Sequence, residues 1–454
     1  MYVNVALNIP ADKLFTYEVP ENLQPAVQVG KRVFVPFGNR KRTGFIVAIS
    51  DTCTLAGVKP VQEILDDEPL FGDADLSFYS WIAEYFMYPL GKTLAELIPS
   101  GSEKKDFLWI TPLVADDDLV LSSAQKYLLS LIQQHPRGIT LNNLSAISSL
   151  KNTSSIVHNL QLAGWVKIQA RQTRQLAART EKFVRLADDK IAGVKLTARQ
   201  SALVEFMQTH KVMALGDLIE KANTSKAVVK NLHEKGMIVL SSEEKIRTAS
   251  LTSSIEKDRS DFLLNAEQQQ AFSEICRHLE KNAFAPILLH GVTGSGKTEV
   301  YLNAIEEVLK KGGSAIYLVP EIALTPQLIS RIAGRFDEQK IAVLHSGIAE
   351  AVRFDQWRQI KRGKISLVIG ARSALFAPLP HLKLIIVDEE HDASYKQDDR
   401  LCYHARDLAV LRAQQIGAVV VLGSATPGVR PYYNAKIKKY FRLGLSERVE
   451  NKPL

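Results

Sequence analysis

Two short stretches carry residue types that could do chemistry together. Residues 291–298 read GVTGSGKT, a full GxxxxGK[ST] pattern. A phosphate chain needs inward-pointing backbone N–H groups, glycines that let the backbone come close, and a helix N-terminus whose partial positive charge faces the anion. Gly291, Val292, Thr293, Gly294, Ser295 and Gly296 supply the loop. Lys297 would sit on the β and γ phosphates of ATP, and Thr298 would place its hydroxyl on Mg²⁺. Further on, KLIIVDEEH (383–391) sets Asp388 and Glu389 at the tip of an apolar run. An unpaired carboxylate there is costly unless a cation holds it, so Asp388 would ligate Mg²⁺. Glu389 would then orient and deprotonate the water that attacks the γ phosphate. By itself a DEE triplet also fits a solvated acidic turn; the phosphate loop upstream makes it the second half of one site. Lys297, Asp388 and Glu389 are the candidate catalytic residues.

The acidic box runs straight into a different chemistry, since residues 388–407 read DEEHDASYKQDDRLCYHARD. Tyr395 and Tyr403 offer stacking faces, while Lys396, Arg400 and Arg406 can meet phosphates. The alternative is that Tyr403 and His404 simply pack the helix that follows. Contiguity would let one loop movement bias both the hydrolysis site and a nucleic-acid contact.

The elements that must position these residues can be read from apolar patterning. From residue 261 the runs APILLH (285–290), SAIYLVP (314–320), IAVLHS (341–346), ISLVIG (365–370), KLIIVD (383–388) and AVVVLGS (418–424) alternate with amphipathic helices. Their near-continuous Val, Ile and Leu content suits strands covered on both faces, predicting an α/β parallel sheet over 261–454, with its ligands at the carboxyl ends of the strands. Residues 1–105 alternate in period two at 27–38 and 43–50, predicting a small β-barrel-like domain followed by a helix over 76–90. Between them lies an approximate repeat: 122–135 matches 197–210, and 154–168 resembles 226–240. Each copy reads helix, short helix, turn, then a helix ending at Gly164 or Gly236 before a strand, the order of a winged helix-turn-helix. We divide this region into winged-helix-like α+β domains at 106–190 and 191–245. A polar, Ser-rich linker is expected over 246–260.

Composition bounds the class. The chain has 454 residues, 46% hydrophobic and 23% charged, with a net charge of +8, which favours an anionic partner. It lacks an apolar run long enough to span a membrane and a secretory signal pattern, so it is expected in the cytoplasm, with no membrane partner. Three scattered cysteines give neither a disulfide framework nor a zinc site.

At this point a resemblance is plain. GVTGSGKTEVY, PEIALTPQ (320–327), HSG (345–347), GARSALFAP (370–378), DEEHDASYKQ (388–397), YHARDLAV (403–410) and GSATP (423–427) resemble the successive motifs of superfamily 2 helicases. In detail they are similar to the PriA family of replication-restart helicases, as are LFTYEVP (14–20) and VPFG (35–38) near the N-terminus. The resemblance implies that the parallel sheet over 261–454 is a RecA-like first lobe of the P-loop NTPase class, and that the protein is an ATP- and Mg²⁺-dependent DNA helicase, a hydrolase acting in primosome assembly at branched or stalled forks and associated with the nucleoid. Its implied partners are forked and single-stranded DNA, the single-stranded-DNA-binding protein and other primosome proteins. It assigns Gln268 to the adenine, and Thr325, Gln327, Arg372 and Ser373 to the DNA backbone. The loop carrying Tyr395 and Tyr403 falls on single-stranded DNA, and His391, Ser424 and Thr426 couple ATP state to motor movement. Phe15, Thr16, Tyr17, Gly38 and Lys59 fall where the family's N-terminal domain captures a 3′ DNA end.

Two departures from the family pattern matter. Thr16 stands where an Asp is common, a weaker acceptor for a 3′ hydroxyl. After GSATP the chain runs only to LGLSERVENKPL, so the second motor lobe, its arginine fingers and the zinc-binding insertion are expected to be absent, and with them most of the turnover. A non-catalytic module binding fork DNA and nucleotide, or an RNA helicase, are the competing readings.

Overall fold

The computed structural model describes residues 1–38, 40–55, 57–99, 106–113, 121–136, 138–150, 152–172, 180–187, 196–244 and 263–449. The linker expected over 246–260 lies outside them.

The first sheet has five strands, β1 (Tyr2–Leu7), β2 (Leu14–Glu18), β3 (Arg32–Phe37), β4 (Arg40–Ser50) and β5 (Glu63–Ile64), in the order β2-β1-β4-β3-β5. Its named pairings are antiparallel, and backbone bonds between Glu18 and both Lys59 and Val61 draw the far edges together, giving the barrel-like closure read from the sequence. Val3, Val5, Val33, Val35 and Ile46 fill one side. On the other side of β3, Arg32 and Phe34 are buried too. Arg32 makes a bidentate pair with Asp66, Nη2 to Oδ1 at 2.7 Å and Nε to Oδ2 at 3.0 Å, and its guanidinium lies 5.2 Å from the ring of Phe354. Both faces are covered because a second domain packs against the sheet.

That covering runs through α1 (Asp73–Tyr85) and α2 (Leu90–Leu97). Phe78, Tyr79, Ile82, Leu94 and Leu97 face inward, at spacings that put them on the buried side of each helix. They join one continuous apolar cluster with Phe354, Trp357, Phe376, Tyr403 and Leu408 of the C-terminal domain. Three buried polar groups in the seam are paired. Tyr79 Oη donates to Phe376 O at 2.8 Å, Trp357 Nε1 donates to Leu70 O at 2.8 Å, and Arg412 sits 3.5 Å from Asp75.

The repeat forms two modules of identical order. The first runs β6 (Asp106–Pro112), α3 (Ser123–Gln133), β7 (Ile139–Thr140), α4 (Leu141–Ser148), α5 (Thr153–Leu162) and β8 (Val166–Gln172), with strand order β7-β6-β8. The second runs β9 (Thr180–Leu186), α6 (Ala198–Thr209), β10 (Val212–Ala214), α7 (Leu215–Lys221), α8 (Lys226–Glu234) and β11 (Ile238–Glu244), with order β10-β9-β11. Gly164 and Gly236 end α5 and α8 at φ 80° and 71°, the left-handed closure that favours glycine. Each module opens with a strand that the sequence pattern did not mark. Because β9 pairs with β10 and β11, the second module begins ahead of residue 191, where the sequence reading divided the two. Residues 176–249 form a separate unit.

The C-terminal domain contains α9 (Ala266–Glu280), β12 (Ala285–Gly291), α10 (Lys297–Lys310), β13 (Ser314–Leu318), α11 (Pro326–Arg335), β14 (Ile341–Leu344), α12 (Glu350–Lys361), β15 (Leu367–Gly370) and β16 (Leu382–Val387). It continues through the two-residue strands β17 (Lys396–Gln397) and β18 (Tyr403–His404) to α13 (Ala405–Ile416), β19 (Val419–Ser424), α14 (Val429–Lys436) and β20 (Phe441–Leu445). Seven strands form a parallel sheet, β14-β15-β13-β16-β19-β12-β20, and all six apolar runs lie in it. Only edge strand β20 was not foreseen: FRLGL is largely exposed, and Arg442 and Gly444 interrupt its apolar residues.

Gly91 in α2 lies against β1 so closely that an added Cβ would meet Leu7 O at 1.9 Å. Gly91→Ala must push α2 off the sheet, and urea unfolding is expected to show a loss of at least about 2 kcal/mol.

Candidate functional site

The site assembles at the carboxyl ends of the central strands, where parallel α/β sheets place their ligands. β12 runs into the phosphate loop, in which Gly294 and Gly296 take φ of 79° and 75°. The positive φ of Gly296 calls for glycine, and a Cβ there would also displace Gln268 Nε2, 2.3 Å away. Lys297, at the start of α10, donates from Nζ to Gly291 O at 3.0 Å and lies 3.7 Å from Glu389 Oε1. The loop lysine and the second acidic residue thus converge although far apart in sequence.

Asp388 follows β16, in the middle of the sheet. Its Oδ2 accepts from Tyr317 Oη at 3.1 Å and its Oδ1 from the backbone N–H of Glu389 at 3.0 Å. Burial, followed by the neighbouring negative charge of Glu389, raises its pKa to about 6, against the pull of Tyr317 and Lys297. Burial raises the phenol of Tyr317 well above its usual range, so it stays a donor to the carboxylate. Glu389 has φ 44°, a left-handed conformation costly for a non-glycine residue and typical of strained functional positions.

The residues present fit a Mg²⁺-nucleotide. Ser295 Oγ is buried in the loop with no partner among the described residues. Asp388 is a buried carboxylate whose ionisation a cation would relieve, and Thr298 supplies a hydroxyl at the head of α10. Two protein oxygens suit Mg²⁺, which keeps several waters and takes few protein ligands. No cluster of three His, Cys, Asp or Glu that could hold a metal occurs among the described residues.

The box at 388–391 is locked to the GSATP segment. His391 Nδ1 lies 2.7 Å from Ser424 Oγ, which also accepts the N–H of Thr426 at 3.0 Å, and Thr426 Oγ1 is 3.3 Å from His391 Nε2. The three residues read as motor coupling form one hydrogen-bonded set. Gln268 differs from expectation. Its Nε2 donates to Ser295 O at 2.8 Å and its Oε1 accepts from Asn265 N at 2.9 Å, so it braces the phosphate loop and caps α9 rather than presenting an open edge to an adenine.

The aromatic-rich loop departs further. Tyr395 is 1% exposed, and its Oη donates to Asp388 O at 2.7 Å. Tyr403 is buried edge-on to Phe376, with ring centroids 5.3 Å apart. Neither ring offers a stacking face here, because the apolar seam with α1 and α2 takes both. Arg406 is likewise committed: its Nη1 donates to Glu390 at 3.0 Å and its Nε to Asp407 at 2.9 Å. Glu390 is fully buried, which makes Arg406 its counter-ion instead of a phosphate ligand. Lys396 stays exposed beside Asp398, and Arg400 reaches across to Glu96 of α2 at 3.0 Å.

Arg372 and Ser373 line a cleft of 210 Å³ with Glu96, Glu321, Ser346 and Gln397. Arg372 Nη1 donates to Lys396 O at 2.8 Å, tying this segment to the loop. Thr325 caps α11 by accepting from Leu328 N, and Gln327 is exposed on the first turn. Sequence reading missed Glu299, buried in the first turn of α10 and paired with Arg331 and Arg335 of α11. That pair joins the nucleotide helix to the helix that begins at Thr325. The acidic residue directly after GKT and two arginines four apart on α11 were the available signal.

In the first domain the two N-terminal motifs meet. Tyr17 Oη donates to Pro36 O at 3.1 Å, and the Phe15 and Phe37 rings are 5.1 Å apart, edge to face. Thr16 Oγ1 donates to Asn4 Oδ1 at 2.9 Å, while Gly38, at φ 58°, and Lys59 are exposed. Tyr17 is buried and its hydroxyl pushed up to about 12, so it holds the motif together rather than facing a ligand.

Comparison with known proteins returns two family models, a 3′ DNA-binding domain over residues 4–99 and a DEAD/DEAH box helicase over 265–434. The second carries with it the use of a nucleotide. Among curated proteins, the replication restart protein PriA of Bacillus subtilis is 35% identical over 97% of this chain and 55% of its own length. PriA of Treponema pallidum is 45% identical over 99% of this chain and 47% of its own. The chain spans about half the length of the curated relatives it matches. Among solved structures, RecG bound to a three-way DNA junction is 22% identical with a TM-score of 0.34, covering 43% of this chain and 25% of that one. No helix among the described residues is long and apolar enough to cross a membrane.

Two outcomes test this geometry. Asp388 binds its proton more tightly folded than unfolded, so its contribution to stability is fully present below the unfolded value of 3.8 and is lost as pH rises through about 6. In Mg²⁺-free buffer, Asp388→Asn should therefore stabilise the protein at pH 8, by up to about 3 kcal/mol in thermal or urea unfolding, with the advantage vanishing near pH 4. Arg406→Ala strands the buried Glu390, and unfolding should show a loss of about 3 kcal/mol. If Arg406→Ala instead lowers DNA affinity at unchanged stability, Arg406 is a phosphate contact after all.

Proposed function

Since this chain belongs to the PriA family of replication restart proteins, we propose that it is the DNA-binding and first motor portion of an ATP-dependent DNA helicase that acts in replication restart. The observation that carries the reading is the convergence of Lys297 with Asp388 and Glu389 at the carboxyl ends of β12 and β16, which flank β19 in the sheet, backed by the bonded set of His391, Ser424 and Thr426.

In this reading the backbone of 291–296 cradles the phosphates, and Lys297 leaves Gly291 O for the β and γ oxygens. Thr298 and Asp388 would hold Mg²⁺, which when bound would neutralise charge on the phosphate chain. Glu389, released from Lys297 as the lysine moves to phosphate, orients the attacking water. His391 senses the change 3.6 Å from Glu389 and passes it to Ser424 and Thr426. DNA backbone meets Thr325, Gln327, Arg372 and Ser373, with Lys396 and Arg400 at the loop, and a 3′ end meets Phe15, Thr16, Gly38 and Lys59. The substrate is forked or single-stranded DNA, and the other primosome proteins are its partners.

Lys297→Ala should raise the dissociation constant of a fluorescent ATP analogue by more than tenfold while leaving forked-DNA affinity within about twofold, because the phosphate cradle alone loses its charge. ATPase rate with and without forked DNA, and binding to an RNA duplex of equal charge, test the whole reading; tighter binding to RNA than to the DNA fork would overturn it.

A further inference from the structure

Residues 81–92, WIAEYFMYPLGK, place four aromatic rings where α1 turns into α2. Phe78 and Tyr79, just before, are spent on the seam between domains, but Tyr85 is 64% exposed and Met87 91% exposed. The exposed ring is braced from behind: Trp81, one turn back, stacks on Tyr85 with centroids 4.6 Å apart and planes 12° apart, and Phe86 meets it edge-on at 5.0 Å. A braced ring loses little side-chain entropy when a flat partner lands on it.

The turn itself is held tightly. Met87 N donates to Glu84 O at 3.1 Å and Tyr88 N to Ala83 O at 2.9 Å, with Met87 at φ 49°. This is a helix-ending motif in which glycine would be the residue of lowest strain. Tyr88 then folds back so that Lys92 Nζ lies 5.1 Å from its ring centroid. One turn along α2, Glu96 holds Arg400 of the aromatic-rich loop, and Glu96 also lines the 210 Å³ cleft with Arg372 and Ser373. The aromatic corner therefore leads into the helix that carries Lys92 and, one turn on, the cleft-lining Glu96 with Arg400 bound to it.

We propose that the α1–α2 corner is a stacking platform for single-stranded DNA leaving that cleft, with a base on Tyr85 and phosphates at Lys92 and Arg400. Flat rings interleaved with cations match an unpaired strand, which offers a base face and a phosphate at every step. Glu84, exposed beside Tyr85, disfavours a phosphate at the ring and leaves the base as the part that meets it. The inference rests on the reading of the C-terminal domain as a DNA motor.

The test compares a fluorescein-labelled 20-nucleotide oligothymidylate with an abasic strand of equal length and charge. Tyr85→Ala should weaken oligothymidylate binding about tenfold, move abasic binding less than twofold, and leave the unfolding midpoint unchanged; Tyr85→Phe should restore wild-type behaviour. Arg372→Ala should weaken both strands alike. Unchanged oligothymidylate affinity in Tyr85→Ala, with Arg372→Ala impaired, would overturn the platform while sparing the motor. Failure of the wild-type chain to bind either strand would overturn the underlying DNA reading.

Discussion

A carboxylate at the end of a strand buried on both faces is the constraint around which the C-terminal domain is arranged. Asp388 cannot ionise cheaply where β16 delivers it, so its neighbours are donors: Tyr317 from β13 and the Glu389 backbone. The left-handed turn at Glu389 aims that backbone N–H, and it also points the Glu389 side chain toward Lys297. Tyr395 closes the far side by bonding the Asp388 carbonyl. One expensive charge thus fixes the phosphate loop, the acidic box and the start of the aromatic-rich loop relative to one another.

The same loop is held from outside by the N-terminal domain. Phe78 stacks on Phe376 with centroids 6.2 Å apart, and Phe376 meets Tyr403, so α1 supports the segment that carries Arg372 as well as the loop that carries Tyr403. Arg412, buried, donates to the carbonyls of Leu375 and Ala377 and lies 5.6 Å from the Phe78 ring centroid. Separate domains by sequence therefore share one core, and a shift of α1 cannot leave the Arg372 segment untouched.

The corrections share one origin. Tyr395, Tyr403 and Arg406 were read as DNA contacts because aromatics and cations beside an acidic box suit an unpaired strand. The same residue types also close seams and balance buried charges, and a linear pattern carries no burial. Arg406 is adjacent in space to Glu390, which no spacing rule links to it, while Gln268 serves the phosphate loop because α9 packs beside α10. Conversely, Trp81 and Tyr85 lie in the helix predicted over 76–90, and only the packing direction of α1 shows which of its rings were left outside.

The sequence by itself determined the chemistry that is local: the glycine-spaced phosphate loop, the acidic box at a strand tip, six of the seven parallel strands, and the repeat with its glycine-ended helices. These depend on neighbours within a few residues, through backbone conformation and the periodicity of burial, so they survive reading as a line. Tertiary structure alone decided which long-range partner each charged or aromatic group took: Lys297 with Glu389, Arg406 with Glu390, Arg400 with Glu96, Tyr79 with Phe376. Such pairings are set by the order in which strands lie in the sheet and by which helix faces meet, and desolvation in the assembled fold fixes the worth of each charge.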